Sequence, residues 1–302
     1  MSIPHPEMAA ILLAQQAAPL PNPETLPITT ARENFNRNNV AWNLPLPPMA
    51  AQDMALGGVP CRLLTPRTAP AGLVVFVHGG GWTFGSPATH ERFARLLAER
   101  SGAAFLLPDY RLAPEHPAPA AIEDVLAVIA GLDGISPPGT PIILAGDSAG
   151  ANIALAAALS ATARPIAMLS LLYGCFAPRF DTPSHGRNGD GRFGLGTQRM
   201  RWYWANWQGA APDPRSAPLD AALADLAALP PCHLLAAALD PLCDDSLRLA
   251  DRLAEAGVAT RLDIVPGVVH GFLQMTGRLG PARRATALIA REIAAAFQPE
   301  AF

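Results

Sequence analysis

Residues 142–153 read IILAGDSAGANI. A short apolar run stops at Gly-Asp-Ser-Ala-Gly, and small apolar residues then resume. The run is wholly apolar, as befits a strand covered on both faces, and the Ala-rich stretch after it reads as a helix. Gly146 and Gly150 stand two residues to either side of Ser148. Without side chains they allow the backbone to crowd a sharp strand-to-helix turn, from which a hydroxyl projects past the sheet's carboxyl edge. The helix that begins there aims unpaired N–H groups at the same space, which favours negative charge. Ser148 is therefore a candidate nucleophile, although the five-residue pattern alone is a weak sign.

The same alternation runs outward from this turn. Strands are expected over 52–58, 60–66, 72–80, 102–112, 141–148, 166–174, 232–240 and 260–267. Helices are expected over 90–100, 118–132, 149–161, 244–257 and 281–297, where apolar residues recur every three or four positions or alanine dominates. Strand alternating with helix predicts an α/β fold, with a mostly parallel central sheet of about eight strands flanked by helices. Two segments break the pattern. Residues 1–48 are proline-rich, with one short helical patch around Met8–Ala18. Residues 177–230 hold the glycine- and arginine-rich stretch 184–196, which matches no motif. They also hold a helical face of Met200, Tyr203, Trp204 and Trp207, in a region carrying three of the five tryptophans. That face suits an amphipathic helix docked on the core, or a lid over an apolar pocket.

Composition excludes several partners. Half of the 302 residues are hydrophobic, 16% are charged and the net charge is -3. No basic cluster is interleaved with aromatics, so no nucleic-acid partner is expected. All 22 basic residues are arginines, a bias read as genomic. Cys61, Cys175, Cys232 and Cys243 form no CxxC pair and fit no zinc spacing, so they read as buried reduced thiols and no metal site is expected. The amino terminus has no Lys or Arg before its short apolar stretch, unlike a secretory signal. No apolar run reaches the ~20 residues that span a bilayer. A cytoplasmic chain with no membrane partner is the expectation.

A serine nucleophile needs a base and a carboxylate to orient it. Three histidines follow Ser148: His185, His233 and His270. His233 falls inside a buried strand and reads as a core residue. His185 lies in the irregular insert and is expected at the surface. His270, just past the last strand, can reach inward from the carboxyl edge of the sheet, and is the candidate base. Asp240 ends the strand 232–240 and is the candidate acid; Asp244 and Asp245 read more simply as the first residues of a helix. Upstream, VFVHGGGWTFG puts three glycines after a buried strand. The bare N–H groups of Gly80 and Gly81, with that of Ala149, are candidate donors to an oxyanion. The run is neither GxGxxG nor a Walker loop. His78 is expected to brace the glycines and not to serve as a second base.

Together, HGGGW at 78–82, DYRLAPEHPAPAAIED at 109–124, GDSAGAN at 146–152, DPLCDD at 240–245 and HGF at 270–272 resemble the bacterial hormone-sensitive-lipase-like esterases of the α/β-hydrolase fold. The likeness runs in register from about residue 50 to the carboxyl end. It implies a triad of Ser148, Asp240 and His270, and an oxyanion hole from Gly80, Gly81 and Ala149. A helical cap made of 1–48 and 177–230, over a core of 49–176 and 231–302, is also implied. The Asp before the serine looks like the GDSAG branch. The expected activity is hydrolysis of short-chain acyl esters, a small-molecule substrate class, through an acyl-enzyme and with no cofactor. Trp82, Tyr203, Trp204 and Trp207 are candidate pocket residues. The alternatives are a hydrolase of lactones or carbamates, or a non-catalytic binder of small molecules; Asp240 and His270 argue against the latter. A homodimer would form through an exposed edge strand, 260–267.

Overall fold

The computed structural model of the chain describes residues 3–160 and 162–298. Eight strands form one sheet: β1 (Ala50–Leu56), β2 (Val59–Thr65), β3 (Leu73–Val77), β4 (Ala104–Pro108), β5 (Ile142–Asp147), β6 (Ile166–Leu172), β7 (Cys232–Ala237) and β8 (Thr260–Val265). Their order is β1-β2-β4-β3-β5-β6-β7-β8. The β1–β2 and β2–β4 pairs are antiparallel and every other pair is parallel. In β3, β4 and β5 every residue is buried, as in strands covered on both faces. Strands β1 and β8 are the two edges, and neither holds a buried residue.

The two faces hold separate cores, and the period-two geometry of a strand sorts residues between them. Leu73, Val75 and Val77 of β3 join one cluster; Val74 and Phe76 join the other. The first core takes residues from α4 (Ala120–Ala130), α5 (Ala149–Leu159) and α9 (Cys243–Glu255). The second takes residues from α3 (Pro87–Ser101) and α10 (Gly280–Ala296), with α1 (Pro6–Ala17) against them through Met8, Ile11 and Leu12.

The amino-terminal segment contains more helix than its sequence suggests. Besides α1 it forms α2 (Ile28–Asn43), of which only Ala31 and Asn43 are buried. Half-buried Ile28 and Phe35 pack on the first core, Phe35 stacked on Phe84, and polar bonds add to this. Asn43 donates to the Thr89 carbonyl at 2.7 Å and accepts from the Arg92 N–H at 3.0 Å, which fixes it to α3. Arg32 donates to the carbonyls of Thr83 and Ala113, each at 2.9 Å, and so ties α2 to the loops after β3 and β4. The insert after β6 folds as α6 (Pro183–Asn188), α7 (Thr197–Gln208) and the single turn α8 (Leu223–Leu226). Arg199 of α7 donates to Glu24 at 2.6 Å, joining the insert to the amino-terminal segment.

Candidate active site

Ser148 stands between β5 and α5 with φ +54° and ψ −121°, a conformation that costs a non-glycine residue free energy and is kept where the surroundings enforce it. The flanking glycines are the enforcers. A Cβ on Gly150 would lie 2.0 Å from the Val77 carbonyl oxygen, and one on Gly146 would lie 2.5 Å from the backbone of Gly150. Only without those side chains can the turn press against β3.

Two loops reach the same place from other strands. Asp240 lies three residues past β7 and His270 five past β8, both at the carboxyl edge of the sheet. His270 Nε2 is 2.8 Å from Ser148 Oγ, and His270 Nδ1 is 2.6 Å from Asp240 Oδ2. Asp240 is fully buried, and its other oxygen accepts the Leu242 N–H at 2.9 Å. A carboxylate can only accept from Nδ1–H, so the lone pair of Nε2 faces the serine hydroxyl. Burial alone would lower the His270 pKa. The charge and hydrogen bond of Asp240, with the charge of Asp147 beyond, outweigh burial and raise it above the ordinary imidazole value.

The glycine run leaves β3 beside this line. Gly80 has φ +129° and Gly81 φ +60°. A Cβ on Gly80 would sit 2.1 Å from the Phe84 carbonyl oxygen, so the turn admits no larger residue without moving. The backbone N–H groups of Gly80, Gly81 and Ala149 have no hydrogen-bond partner among the described residues. Behind the run, Asp147 accepts the Gly79 N–H at 2.9 Å and lies 3.3 Å from His90 Nε2 and from the Tyr173 hydroxyl. Burial would raise the Asp147 pKa, but His90 and the Gly79 N–H hold it below the ordinary carboxylate value. His78 lies under the loop, its Nδ1 2.9 Å from the Gly79 carbonyl and its ring stacked on Tyr110 at 4.2 Å. Burial, then the neighbouring His90, lowers its pKa to about 3, which makes it a poor base.

Ser148, His270, Gly80 and Gly81 border a cavity of about 310 Å³. Of the four aromatic residues expected there, only Tyr203 borders it. Trp82, Trp204 and Trp207 are a correction: they pack on one another, Trp82 and Trp207 stacked at 5.2 Å and 3°, inside the core. Helical spacing identified the buried face of α7, of which Trp204 and Trp207 meet Trp82 while Met200 and Tyr203 border the cavity. His185 is a second correction. It is buried, 2.8 Å from the Thr197 hydroxyl, because Ser184 pins α6 to the Pro241 carbonyl at 2.6 Å. His233 is buried in β7, 3.2 Å from Asp263. Asp244 and Asp245 open α9 and also accept the Ser184 and Phe176 N–H groups, each at 2.8 Å. Sequence reasoning missed His90, Asn38, Asn39 and Gln274, which all border the cavity. The asparagine-rich run at 34–43 was the available signal for two of them.

Comparison with known proteins gives a consistent set of likenesses. A family described as alpha/beta hydrolase fold matches residues 74–274. An acetyl esterase of Salmonella schwarzengrund is 32% identical over 281 residues, covering 88% of this chain and 87% of its own. Carboxylesterase NlhH of Mycobacterium tuberculosis is 33% identical over 260 residues, 80% and 81% of the two chains. Among solved structures, a hyperthermophilic esterase from the archaeon Pyrobaculum calidifontis superposes with a TM-score of 0.89 at 30% identity, over 97% of this chain and 98% of that one. An ester-hydrolase from the metagenome of Lake Arreo gives 0.88 at 28% identity, over 98% and 99%.

Proposed function

This chain belongs to the α/β-hydrolase-fold family, among its bacterial hormone-sensitive-lipase-like esterases, and from that premise we propose that it hydrolyses short-chain acyl esters by a Ser148–His270–Asp240 triad. Carboxylic ester hydrolysis comes with the family; the roles of single residues and the substrate class are the proposal. One observation carries it: the unbroken hydrogen-bonded line from Asp240 Oδ2 through His270 to Ser148 Oγ, with steps of 2.6 and 2.8 Å.

In the proposed reaction Ser148 Oγ attacks the ester carbonyl as His270 Nε2 takes its proton. Asp240 holds the ring in the tautomer that leaves Nε2 free and stabilises the imidazolium that forms. The N–H groups of Gly80, Gly81 and Ala149 receive the oxyanion of the tetrahedral intermediate. His270 returns the proton to the leaving alcohol, and an acyl-enzyme remains. Water then repeats the sequence, giving its proton to His270 while its oxygen attacks the acyl carbon, and the acid leaves as Ser148 recovers its proton. The glycine loop needs rigidity for this, and the Asp147 bond to Gly79 supplies part of it.

The cavity, at about 310 Å³, lies at the small end of ligand sites. This supports short acyl chains, as does the likeness to an acetyl esterase. The amino-terminal segment and the insert, bonded through Glu24 and Arg199, are proposed to act together as a cap. Edge strand β8, with Ile264 exposed, is the proposed seat of a homodimer, and four buried free thiols suit a reducing, cytoplasmic setting. The test is hydrolysis of p-nitrophenyl butyrate by the purified chain. Turnover that Ser148→Ala abolishes is expected; turnover undiminished in that variant would end the proposal.

A further inference from the structure

The cavity beside Ser148 has a polar wall that hydrolysis itself does not use. Gln274, in the short turn four residues after His270, borders the cavity and is 8% exposed. Neither its amide nitrogen nor its amide oxygen has a hydrogen-bond partner among the described residues. A buried carboxamide left unpaired at both atoms costs free energy, and native folds seldom keep one without something that satisfies it. The backbone there is anchored, since the Gln274 N–H donates to the Gly271 carbonyl at 3.1 Å. The terminal torsion of glutamine is broad, so the amide can turn toward the cavity while the backbone stays fixed.

Its surroundings narrow what it would meet. Gln15, Asn38 and Asn39 border the same cavity, so four residues with carboxamide side chains line it. Asn39 already spends its NH₂ on the Phe35 carbonyl at 2.9 Å, which leaves its oxygen as an acceptor. None of the 22 arginines borders this space. Neutral amides both donate and accept, and they match a hydroxyl; they bring no positive charge to a carboxylate or phosphate. Phe35, Leu195 and Met200 supply the apolar surface for a short hydrocarbon chain.

We propose that Gln274 is a specificity-determining residue that hydrogen-bonds a neutral hydroxyl on the substrate, within a few bonds of the scissile carbonyl. The proposal rests on the Ser148 reading of the site. Either side of the ester can carry that hydroxyl, which accepts from the amide nitrogen and donates to the amide oxygen. A plain chain in the same place leaves the carboxamide unsatisfied in the transition state as well, so the difference enters kcat/KM.

The experiment compares matched esters. One arm sets p-nitrophenyl 3-hydroxybutyrate against p-nitrophenyl butyrate; the other sets 2-hydroxyethyl acetate against propyl acetate. Each is run with the wild-type chain, Gln274→Leu and Gln274→Asn. Rates are divided by active sites counted with a fluorophosphonate, so a poorly folding variant is read per competent site. Comparing each hydroxylated-to-plain ratio of kcat/KM between variants cancels the intrinsic reactivity of the esters. In Gln274→Leu that ratio should fall about fivefold or more in one arm, which identifies the side bearing the hydroxyl, while the plain ester gains. Gln274→Asn, whose amide is one methylene shorter, should fall in the same arm. Should the leucine variant yield no titratable sites, the asparagine variant decides by the same criterion. A smaller change in both arms overturns the role of Gln274 and leaves the esterase reading standing. A wild-type chain that cleaves none of the four esters overturns both.

Discussion

Asp240→Asn changes one atom and should remove most of the activity. The aspartate makes two bonds, to His270 Nδ1 at 2.6 Å and to the Leu242 N–H at 2.9 Å, and it is fully buried. Asparagine has one accepting end. If its oxygen faces His270, its NH₂ meets the Leu242 N–H donor to donor, a buried mismatch of about 1–3 kcal/mol. If its oxygen faces Leu242, its NH₂ donates to Nδ1 and the ring proton moves to Nε2. Nε2–H then points at Ser148 Oγ across 2.8 Å and cannot take its proton. The second arrangement satisfies both bonds and is the inactive one. The negative charge opposite the imidazolium is lost as well. A triad in the wrong tautomer loses about 10⁴ in turnover, roughly 5 kcal/mol of barrier. The pH profile should move too. His270 must be neutral to act as a base, so activity rises with pH through its pKa. Asp240 is the main group raising that pKa against burial; without it burial prevails and the acid limb shifts to lower pH. The assay is kcat/KM for p-nitrophenyl butyrate from pH 5 to 9 with thermal unfolding as a folding check. A folded variant within about tenfold of wild type at pH 8, its acid limb unmoved, would refute this reasoning.

Two further substitutions test the frame around that line. Gly80→Ala would put a Cβ 2.1 Å from the Phe84 carbonyl at a φ of +129°, so the loop must shift and carry its donors with it. Turnover should drop about 10²–10³-fold with a lower Tm, and wild-type kcat would contradict the donor role. Trp207→Ala empties a buried stack on Trp82 and should cost about 3–5 kcal/mol in urea unfolding. Its kcat per titrated site should stay within a few-fold, because Trp207 does not border the cavity; a stability loss below about 1 kcal/mol would contradict the packing argument.

Local chemistry at strand ends made the centre of this site readable. Ser148, Asp240 and His270 each follow the carboxyl end of a strand, and in a parallel sheet those ends share one edge, so distance along the chain is no obstacle to their meeting. What was not readable depended on contacts with no period. Helix α2 buries only Ala31 and Asn43, and its apolar series of Ile28, Ala31 and Phe35 is short and set among polar residues. Side-chain bonds to α3 and the glycine loop help hold it, so little in its pattern marked it. Asn38 and Asn39 were missed with it. Trp204 and Trp207 of α7 were correctly placed on one face, but periodicity does not say what a face meets, and their partner was Trp82. His185 looked like a surface residue because the glycine-rich sequence around it hid a short helix pinned by Ser184.

The activation of one hydroxyl by one imidazole is most directly tested by peptide mapping after a fluorophosphonate has reacted with the native chain. The expected result is a single adduct per chain, on the peptide holding Ser148, that fails to form at a comparable rate when His270 is replaced by alanine. An adduct elsewhere with Ser148 unmodified, or undiminished labelling without His270, would contradict the account.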